Sequence, residues 1–359
     1  MHKSMLTRWL LCLLALLMAG ATVACAPFSV QNKQSVTWLD AFDTVSTVTA
    51  YGVDPATFAA QAEELHTELL RYHKLYDIYH TYEGITNLRS VNDAAGGEPL
   101  AVDSAITDLL TCGLDAYALT DGRVNVVFGA VLTQWHNCRT AALDDPETAH
   151  LPDPVALRAA TAHVSPDSLE IDSAAGTVRL TDREASLDVG AVAKGFVAER
   201  LASYATAHFG WTSALLDIGG NVRAIGDKNG SPFVIGIQNP DTDSADAYLT
   251  TVNVRDAAVV TSGDYQRYFT VNGQRYAHII DVDTLMPATV VRAVTVICPA
   301  DQAAANAGLA DILSTALFTL SPADGKRLLD RVGGVEAVWV LSDGTVCYSD
   351  GFDAYLHAR

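Results

Sequence analysis

Hydrophobic and polar residues alternate along this chain with two different periods, and the changes of period mark out its elements. Val45–Tyr51 alternates every second residue and predicts a strand. Pro55–Lys74 carries Phe58, Ala62, Leu65, Leu69 and Tyr72 at helical spacing and predicts an amphipathic helix. Ser104–Thr120 predicts a second helix, with Leu109, Leu110 and Leu114 turned to a core. Leu143–Pro154 is acidic and broken by prolines, so it reads as a surface loop before a short helix at Pro154–His163. Leu169–Asp172 and Thr177–Leu180 form an expected hairpin around Ala174–Gly176. Ala191–Phe209 reads as a helix, with Gly210 as its C-cap.

Beyond Gly210 the pattern turns strand-rich: Ala214–Ile218, Phe233–Gln238, Tyr248–Val254, Ala258–Thr261, Tyr268–Val271 and Arg275–Ile280. A strand at Ala293–Cys298 leads to a helix from Asp301 to Leu320, and Gly325–Val332 is another helix. Ala337–Leu341 and Thr345–Ser349 make a closing hairpin through Ser342-Asp343-Gly344. Strands interspersed with packing helices predict an α+β fold rather than a doubly wound sheet. No linker, repeat or low-complexity tract divides the chain.

The N-terminus follows another rule. Lys3 and Arg8 precede an apolar run, Trp9–Ala19, that has signal-peptide length and is short for a membrane span. Small residues lead to Cys25, and Thr22-Val23-Ala24-Cys25 resembles a lipoprotein processing box, in which the cysteine is lipidated and becomes the mature N-terminus. The plainer alternative is an ordinary signal peptide cut near Ala24 or Ala26. The expected organisation is a signal segment over 1–24, a tether over 25–36 and one domain over 37–359. Such a protein is exported and held by its lipid at the extracytoplasmic face of a bacterial cell membrane.

A formal net charge of −19 argues against nucleic acid and anionic lipid surfaces as partners. It also means that an anionic ligand needs local positive charge, for which a divalent cation is the most compact source. Cys112, Cys138, Cys298 and Cys347 fit no zinc spacing and read as buried thiols, although export permits disulfides.

Three segments run from strand-like residues into small ones and then into one or two polar groups: Ser186–Gly195, Leu215–Asn221 and Arg275–Asp281. Such segments bring a backbone close to a ligand. Gly190-Ala-Val-Ala-Lys194-Gly195 lacks the order of a phosphate loop, because lysine precedes glycine and Phe196 follows. A helix start there still offers free N–H groups to an anion. Asp311 and Thr315 share one helix face, opposite the stripe Leu309, Ile312, Leu313, Ala316 and Leu317. A carboxylate and a hydroxyl are hard oxygen ligands suited to Mg²⁺. His278 and Asp281 are three apart in a strand-like run and point to opposite faces unless the strand ends between them. Tyr79, Tyr82 and Trp135 are candidates to stack on a flat ring, with aromatic core residues as the alternative. Ser262 sits in no GxSxG elbow, which speaks against a hydrolase of that type.

Taken in order, these pieces resemble the ApbE family, the FAD:protein FMN transferases. Phe42-Asp43-Thr44, Tyr82 leading to Asn92, the block Asp121–Trp135, Leu187–Gly195, Leu216–Asn221, Thr261–Tyr268, His278–Asp281 and Asp311–Thr315 occur in family order from about Thr37 to the C-terminus. The resemblance implies an α+β fold with a T-fold-like core, FAD as substrate and Mg²⁺ as the required metal. It implies transfer of FMN from FAD to a threonine or serine of a partner flavoprotein, with release of AMP. By position, Asp188 and Lys194 would contact FAD, and Phe42, Tyr82, Val124, Asn125 and Ile280 would line the site. The Ala191 carbonyl, Asp311 and Thr315 would hold Mg²⁺, and His278 would handle the proton of the acceptor hydroxyl. Two departures stand out. Val282, Thr284 and Leu285 follow where the family continues with Pro and Thr-Gly, and Asn125 replaces a frequent Asp. An Mg²⁺-dependent FAD pyrophosphatase and a flavin-binding lipoprotein without chemistry are the competing readings.

Overall fold

The computed structural model describes residues 32–357 apart from 229 and 306. The expected signal segment 1–24 and Cys25 lie outside the described residues. The expected tether 25–36 loses its last four positions, because Lys33–Ala41 is a strand. Its exposed and half-buried residues alternate, so it reads as a one-sided edge strand.

Eight antiparallel strands form the main sheet, in spatial order Lys33–Ala41, Thr44–Tyr51, Ser213–Ile218, Asn221–Gly226, Ala257–Gly263, Val291–Pro299, Glu336–Leu341 and Val346–Tyr348. Both faces are covered, and the period of two decides which residue goes where. Val260, Val294, Val296 and Trp339 point into the larger core, against the helices Pro55–Tyr76, Ser104–Leu119, Ala193–Phe209 and Leu309–Phe318. Val259, Ile297 and Val338 alternate with them and point the other way. There they meet Phe233 and Val252 of the hairpin Phe233–Gln238/Tyr248–Val254 and the short helical turn Phe352–Tyr355. A third cluster lies to one side. It joins Val131, Trp135 and Cys138 of the helix Gly129–Asp144 to Leu157 of the helix Pro154–Ala160 and to Phe269 of the hairpin Tyr268–Val271/Gln274–Ala277. This is the α+β arrangement that the interspersed pattern predicts.

The structure corrects several elements. The helix expected over Asp301–Leu320 is two helices, Ala300–Ala305 and Leu309–Phe318. Gly308 separates them in the left-handed region, with φ 85°, where a side chain would be strained. Gly219-Gly220, expected to serve ligand approach, is also the two-residue turn of a hairpin joining Ser213–Ile218 to Asn221–Gly226, and its Gly219 belongs to the lining of the cleft described below. Both glycines have positive φ, as a turn of that hand requires. The helices Leu88–Asp93 and Gly129–Asp144 are elements beyond those expected. Cys138, Cys298 and Cys347 are free thiols; Cys112, Cys138 and Cys298 are buried, and the Cys112 thiol donates to the Ala307 carbonyl at 3.1 Å. No helix among the described residues is long and apolar enough to cross a membrane.

Candidate active site

The polypeptide from Ser186 to Val192 crosses between the main core and the side lobe. Leu187 is pinned by Asn92, whose side chain accepts from the Leu187 N–H at 2.7 Å and donates to its carbonyl at 3.0 Å. The Asp188 N–H donates to the Val126 carbonyl at 2.9 Å. The Asp188 carboxylate folds back to accept from the Gly190 N–H at 2.9 Å. The helix Ala193–Phe209 then starts with no side-chain cap of its own. Its Gly195 N–H is met by the carboxylate of Asp311, at 2.9 Å, from a helix 116 residues away in the chain. Asp311 therefore does for this helix what an N-cap side chain does. The N–H groups expected to await an anion are thus partly spent. Only glycine permits the contact, because a Cβ on Gly195 would lie 2.5 Å from the Asp311 Cβ.

Two adjoining cavities open around this turn, one of about 320 Å³ and one of about 200 Å³. Tyr79, Asp188, Gly190, Lys194 and Arg267 form the wall they share. Phe42 and Tyr82 line the larger cavity. Val124, Asn125, Ala191, His278, Ile280, Asp311 and Thr315 line the smaller. All the site residues expected from the sequence, apart from Cys25, therefore converge on one bipartite cleft. Trp135 does not line it: it packs in the side lobe and donates its indole N–H to the Leu285 carbonyl at 3.0 Å.

Each position has a local cause. Phe42 sits in a turn between the first two strands with φ 54°, and its N–H donates to His73 Nδ1 at 3.2 Å. The Tyr82 hydroxyl donates to Asp77 at 2.7 Å, and Asp77 also accepts from the N–H groups of Tyr79 and His80. Burial pushes the Asp77 carboxyl up, but those hydrogen bonds outweigh it and hold it below the ordinary carboxylate range. Asn125 lines the cleft but uses its amide on the Val164 carbonyl at 2.8 Å and the Val127 N–H at 2.9 Å. It shapes the wall from behind. Asp281 is likewise occupied with its own loop, accepting from the N–H groups of Asp283 and Thr284. The strand ends at Ala277, so His278 and Asp281 are not bound to one pleat.

His278 is half-buried, and its Nδ1 stands 3.1 Å from the Arg267 carbonyl. A carbonyl only accepts, so Nδ1 carries the proton and Nε2 holds a lone pair. Burial, then the nearby charges of Arg267 and Lys194, pull this imidazole down to about 3. It is a neutral base at physiological pH.

Asp311 is 3% exposed. Burial pushes its carboxyl up, while Lys194 and the Gly195 N–H work against that. Lys194 Nζ stands 3.7 Å from Asp311 and 3.4 Å from the Gly190 carbonyl. A buried carboxylate with one cation at that distance is suited to a further positive charge. Among the described residues, no three His, Cys, Asp or Glu side chains cluster at metal-ligating spacing. An ion here would rest on Asp311, the Thr315 hydroxyl, the Ala191 carbonyl and oxygens of the ligand. That donor set fits Mg²⁺, which takes few protein carboxylates and completes its shell with phosphate and water. Arg267, Arg139 and His136 also line the cleft and were not singled out from the sequence. Arg267 lies within the Thr261–Tyr268 block, and its guanidinium bonds the carbonyl of Phe42 at 3.3 Å, tying the two cavities together.

Comparison with known proteins places this architecture. The model of the ApbE family matches residues 42–339, and the chain belongs to that family. It is 35% identical to the FAD:protein FMN transferase of Treponema pallidum, over 74% of this chain and 73% of that protein. A Klebsiella pneumoniae protein of the same name is 28% identical, over 80% of this chain and 85% of that one. Among solved structures, the ApbE protein of Thermotoga maritima superposes with a TM-score of 0.77 at 26% identity, covering 91% of this chain and 100% of that one.

Proposed function

We propose that this protein is a FAD:protein FMN transferase that moves FMN from FAD to a threonine or serine hydroxyl of an acceptor flavoprotein, with Mg²⁺ as cofactor and AMP as leaving group. The observation that carries the reading is the meeting of Lys194, Asp311 and the neutral His278 on one cleft. An anion-binding cation, a hard-oxygen carboxylate and a free base are what phosphoryl transfer to a hydroxyl requires. Relatives of the same family carry the name of this activity.

In the reaction the acceptor oxygen attacks the FMN-side phosphorus of FAD. A new O–P bond forms, the bond from that phosphorus to the bridging oxygen breaks, and AMP leaves with the bridging oxygen. His278 Nε2 takes the hydroxyl proton, and the Nδ1–H bond to the Arg267 carbonyl steadies the imidazolium that results. Lys194 and Arg267 face the diphosphate and offset its charge. Asp311, Thr315 and the Ala191 carbonyl would hold Mg²⁺, which supplies Lewis-acid stabilisation of the phosphoryl oxygens when bound. Phe42 and Tyr82 give the larger cavity the aromatic surface that a flavin ring needs.

The test is to incubate the protein with FAD, Mg²⁺ and a peptide bearing an acceptor threonine. Peptide mass rising by one FMN unit is the expected result. Free FMN and AMP without peptide modification would make the protein an FAD pyrophosphatase, a reading that the altered loop after Asp281 favours. Unchanged FAD would leave a binding protein. The lipoprotein reading is part of the same proposal and rests on the Thr22–Cys25 box. Cys25→Ser should leave the protein free of lipid and outside the membrane fraction, and continued membrane partitioning after signal removal would refute it.

A further inference from the structure

His136 takes no part in the mechanism above, yet it sits on the cleft. It follows the Asp121–Trp135 block by one residue and projects from the helix Gly129–Asp144 into the smaller cavity. The Tyr79 hydroxyl meets its Nδ1 at 3.1 Å. Its Nε2 stands 3.7 Å from the Asp188 carboxylate, an ion-pair distance beyond ordinary hydrogen bonding. Tyr79 and Asp188 both belong to the wall shared by the two cavities. The three side chains thus form a chain across that wall, with the imidazole at its centre.

We infer that His136 is a proton-linked positioning residue, which takes up a proton when a diphosphate-bearing ligand enters the cleft and then locks Asp188 and Tyr79 in place. The inference rests on the flavin reading above.

The geometry supplies the reason. In the neutral ring, the facing carboxylate favours the proton on Nε2, and Nδ1 accepts from the Tyr79 hydroxyl. Burial holds the ring neutral, and the charges of Arg139 on its own helix and Arg267 across the cavity act in the same direction, while Asp188 alone opposes them. The Tyr79 phenol is pushed up to about 12, by burial and then by Asp188, so it stays protonated throughout. A diphosphate adds negative charge beside Lys194 and Arg267 and cancels the repulsion that Arg267 exerts on the ring. The imidazolium is then favoured. It donates from Nε2 to Asp188 and from Nδ1 to the Tyr79 oxygen, so both partners become fixed by charge-assisted bonds. Riboflavin carries no phosphate and offers no such compensation. His136 therefore couples discrimination between phosphorylated and bare flavins to the ambient pH.

The test is calorimetric titration of the protein at pH 7 with FAD, without Mg²⁺, in two buffers of different ionisation enthalpy, and with riboflavin as the control ligand. FAD binding should take up a fraction of a proton, and riboflavin none. The affinity for FAD should fall with rising pH, by up to about tenfold per pH unit for one linked proton. His136→Gln should abolish the uptake and flatten the pH dependence, whereas His278→Asn should keep both. Tyr79→Phe removes the acceptor for the imidazolium Nδ1–H and should shrink the uptake, which gives a second reading if His136→Gln folds poorly. Uptake that persists in His136→Gln, or that is unchanged in both variants, overturns the inference and leaves the FAD reading intact. Absence of any FAD binding in the wild type overturns the flavin reading and this inference with it.

Discussion

Replacing Gly195 with alanine sets two effects of opposite sign against each other. Gly195 lies in the first turn of the helix Ala193–Phe209. Helix propensity alone predicts that Gly195→Ala stabilises the protein by about 1 kcal/mol. The neighbours predict the reverse. The new Cβ would lie 2.5 Å from the Asp311 Cβ and 3.2 Å from the Gly308 Cα. Neither atom is the tip of a flexible side chain, and carbon atoms prefer about 3.5–4.0 Å. The two helices must part by roughly an ångström, and overpacking of this kind costs about 1–3 kcal/mol. The same movement stretches the 2.9 Å bond from the Gly195 N–H to Asp311, and a bond to a charged group is worth about 1.5–3 kcal/mol. After the helix gain is subtracted, the variant should be less stable by about 1–3 kcal/mol, given the incomplete additivity of neighbours. Urea unfolding at pH 7 measures this, and Mg²⁺ titration of the folded variant should show weakened binding because Asp311 has moved. The coupling is checkable on its own: Asp311→Gly removes the clashing carbon, so Gly195→Ala should cost less in that background. A Gly195→Ala protein that gains about 1 kcal/mol, as propensity predicts, and binds Mg²⁺ as before would refute the reasoning.

Three further outcomes follow from the site. Asp311→Asn keeps an acceptor for the Gly195 N–H but removes the charge; it should fold and lose Mg²⁺-stimulated turnover, and a variant that keeps it rules out Asp311 as a metal ligand. Lys194→Ala should weaken FAD by about tenfold to a hundredfold, the worth of a lost charge-assisted contact, and leave riboflavin unaffected; equal losses for both ligands would make Lys194 a mere filler of space. His278 is held at about 3 against an ordinary 6.5, so the folded state favours its neutral form. Its contribution to stability is fully present above pH 6.5 and is lost as pH falls from there toward 3. His278→Asn should flatten that acid decline and abolish transfer, and an unchanged decline measured by unfolding across that range would refute the assignment.

Parts of the site were legible because a single element carries them. Asp311 and Thr315 lie one turn apart opposite an apolar stripe, and helical periodicity alone puts them on one face. Gly210 shows the left-handed C-cap expected of it, with φ 67°. What the chain did not show came from convergence. Tyr79 is legible as a ring-stacking candidate, but its meeting with His136 beside Arg267 is not: the three come from a loop, a helix and a strand connection far apart in sequence, and nothing local to any of them points to the others. The helix Gly129–Asp144 escaped notice for a local reason. Val131, Trp135, Cys138 and Ala142 do form its buried stripe. But Thr133, His136, Asn137 and Thr140 are weak helix formers, and no side chain caps its start. Asp311 escaped as a cap for the opposite reason: its partner is the N–H of another helix, so no capping box appears in sequence. The Gly219-Gly220 pair is first of all a hairpin turn, as two glycines between strand-like runs suggest, and the turn sets its Gly219 in the lining of the smaller cavity.

An acidic protein with an anionic substrate poses a problem that the cleft resolves locally. The net charge of −19 is a property of the whole surface, and at physiological ionic strength exposed charges act over a Debye length of about 8 Å. Within the cleft, Lys194, Arg267 and Arg139 stand together, with Asp188 and Asp311 as their acidic neighbours. Each of those carboxylates is already engaged by backbone, Asp188 with the Gly190 N–H and Asp311 with the Gly195 N–H. The cations are not equally engaged: Arg267 is held by the carbonyls of Phe42 and Asp43, which supply no opposing charge. The arrangement therefore leaves positive charge for a ligand while its acidic groups serve the turn that presents it. Burial first, and then the same cations, lower His278, so in the proposed reaction the imidazole is neutral before the ligand arrives, and the ligand's negative charge would offset the cations and strengthen it as a base. If His278 is the proton acceptor proposed above, substrate binding and proton removal are coupled through one set of charges, and a substitution at Arg267 is expected to disturb both at once.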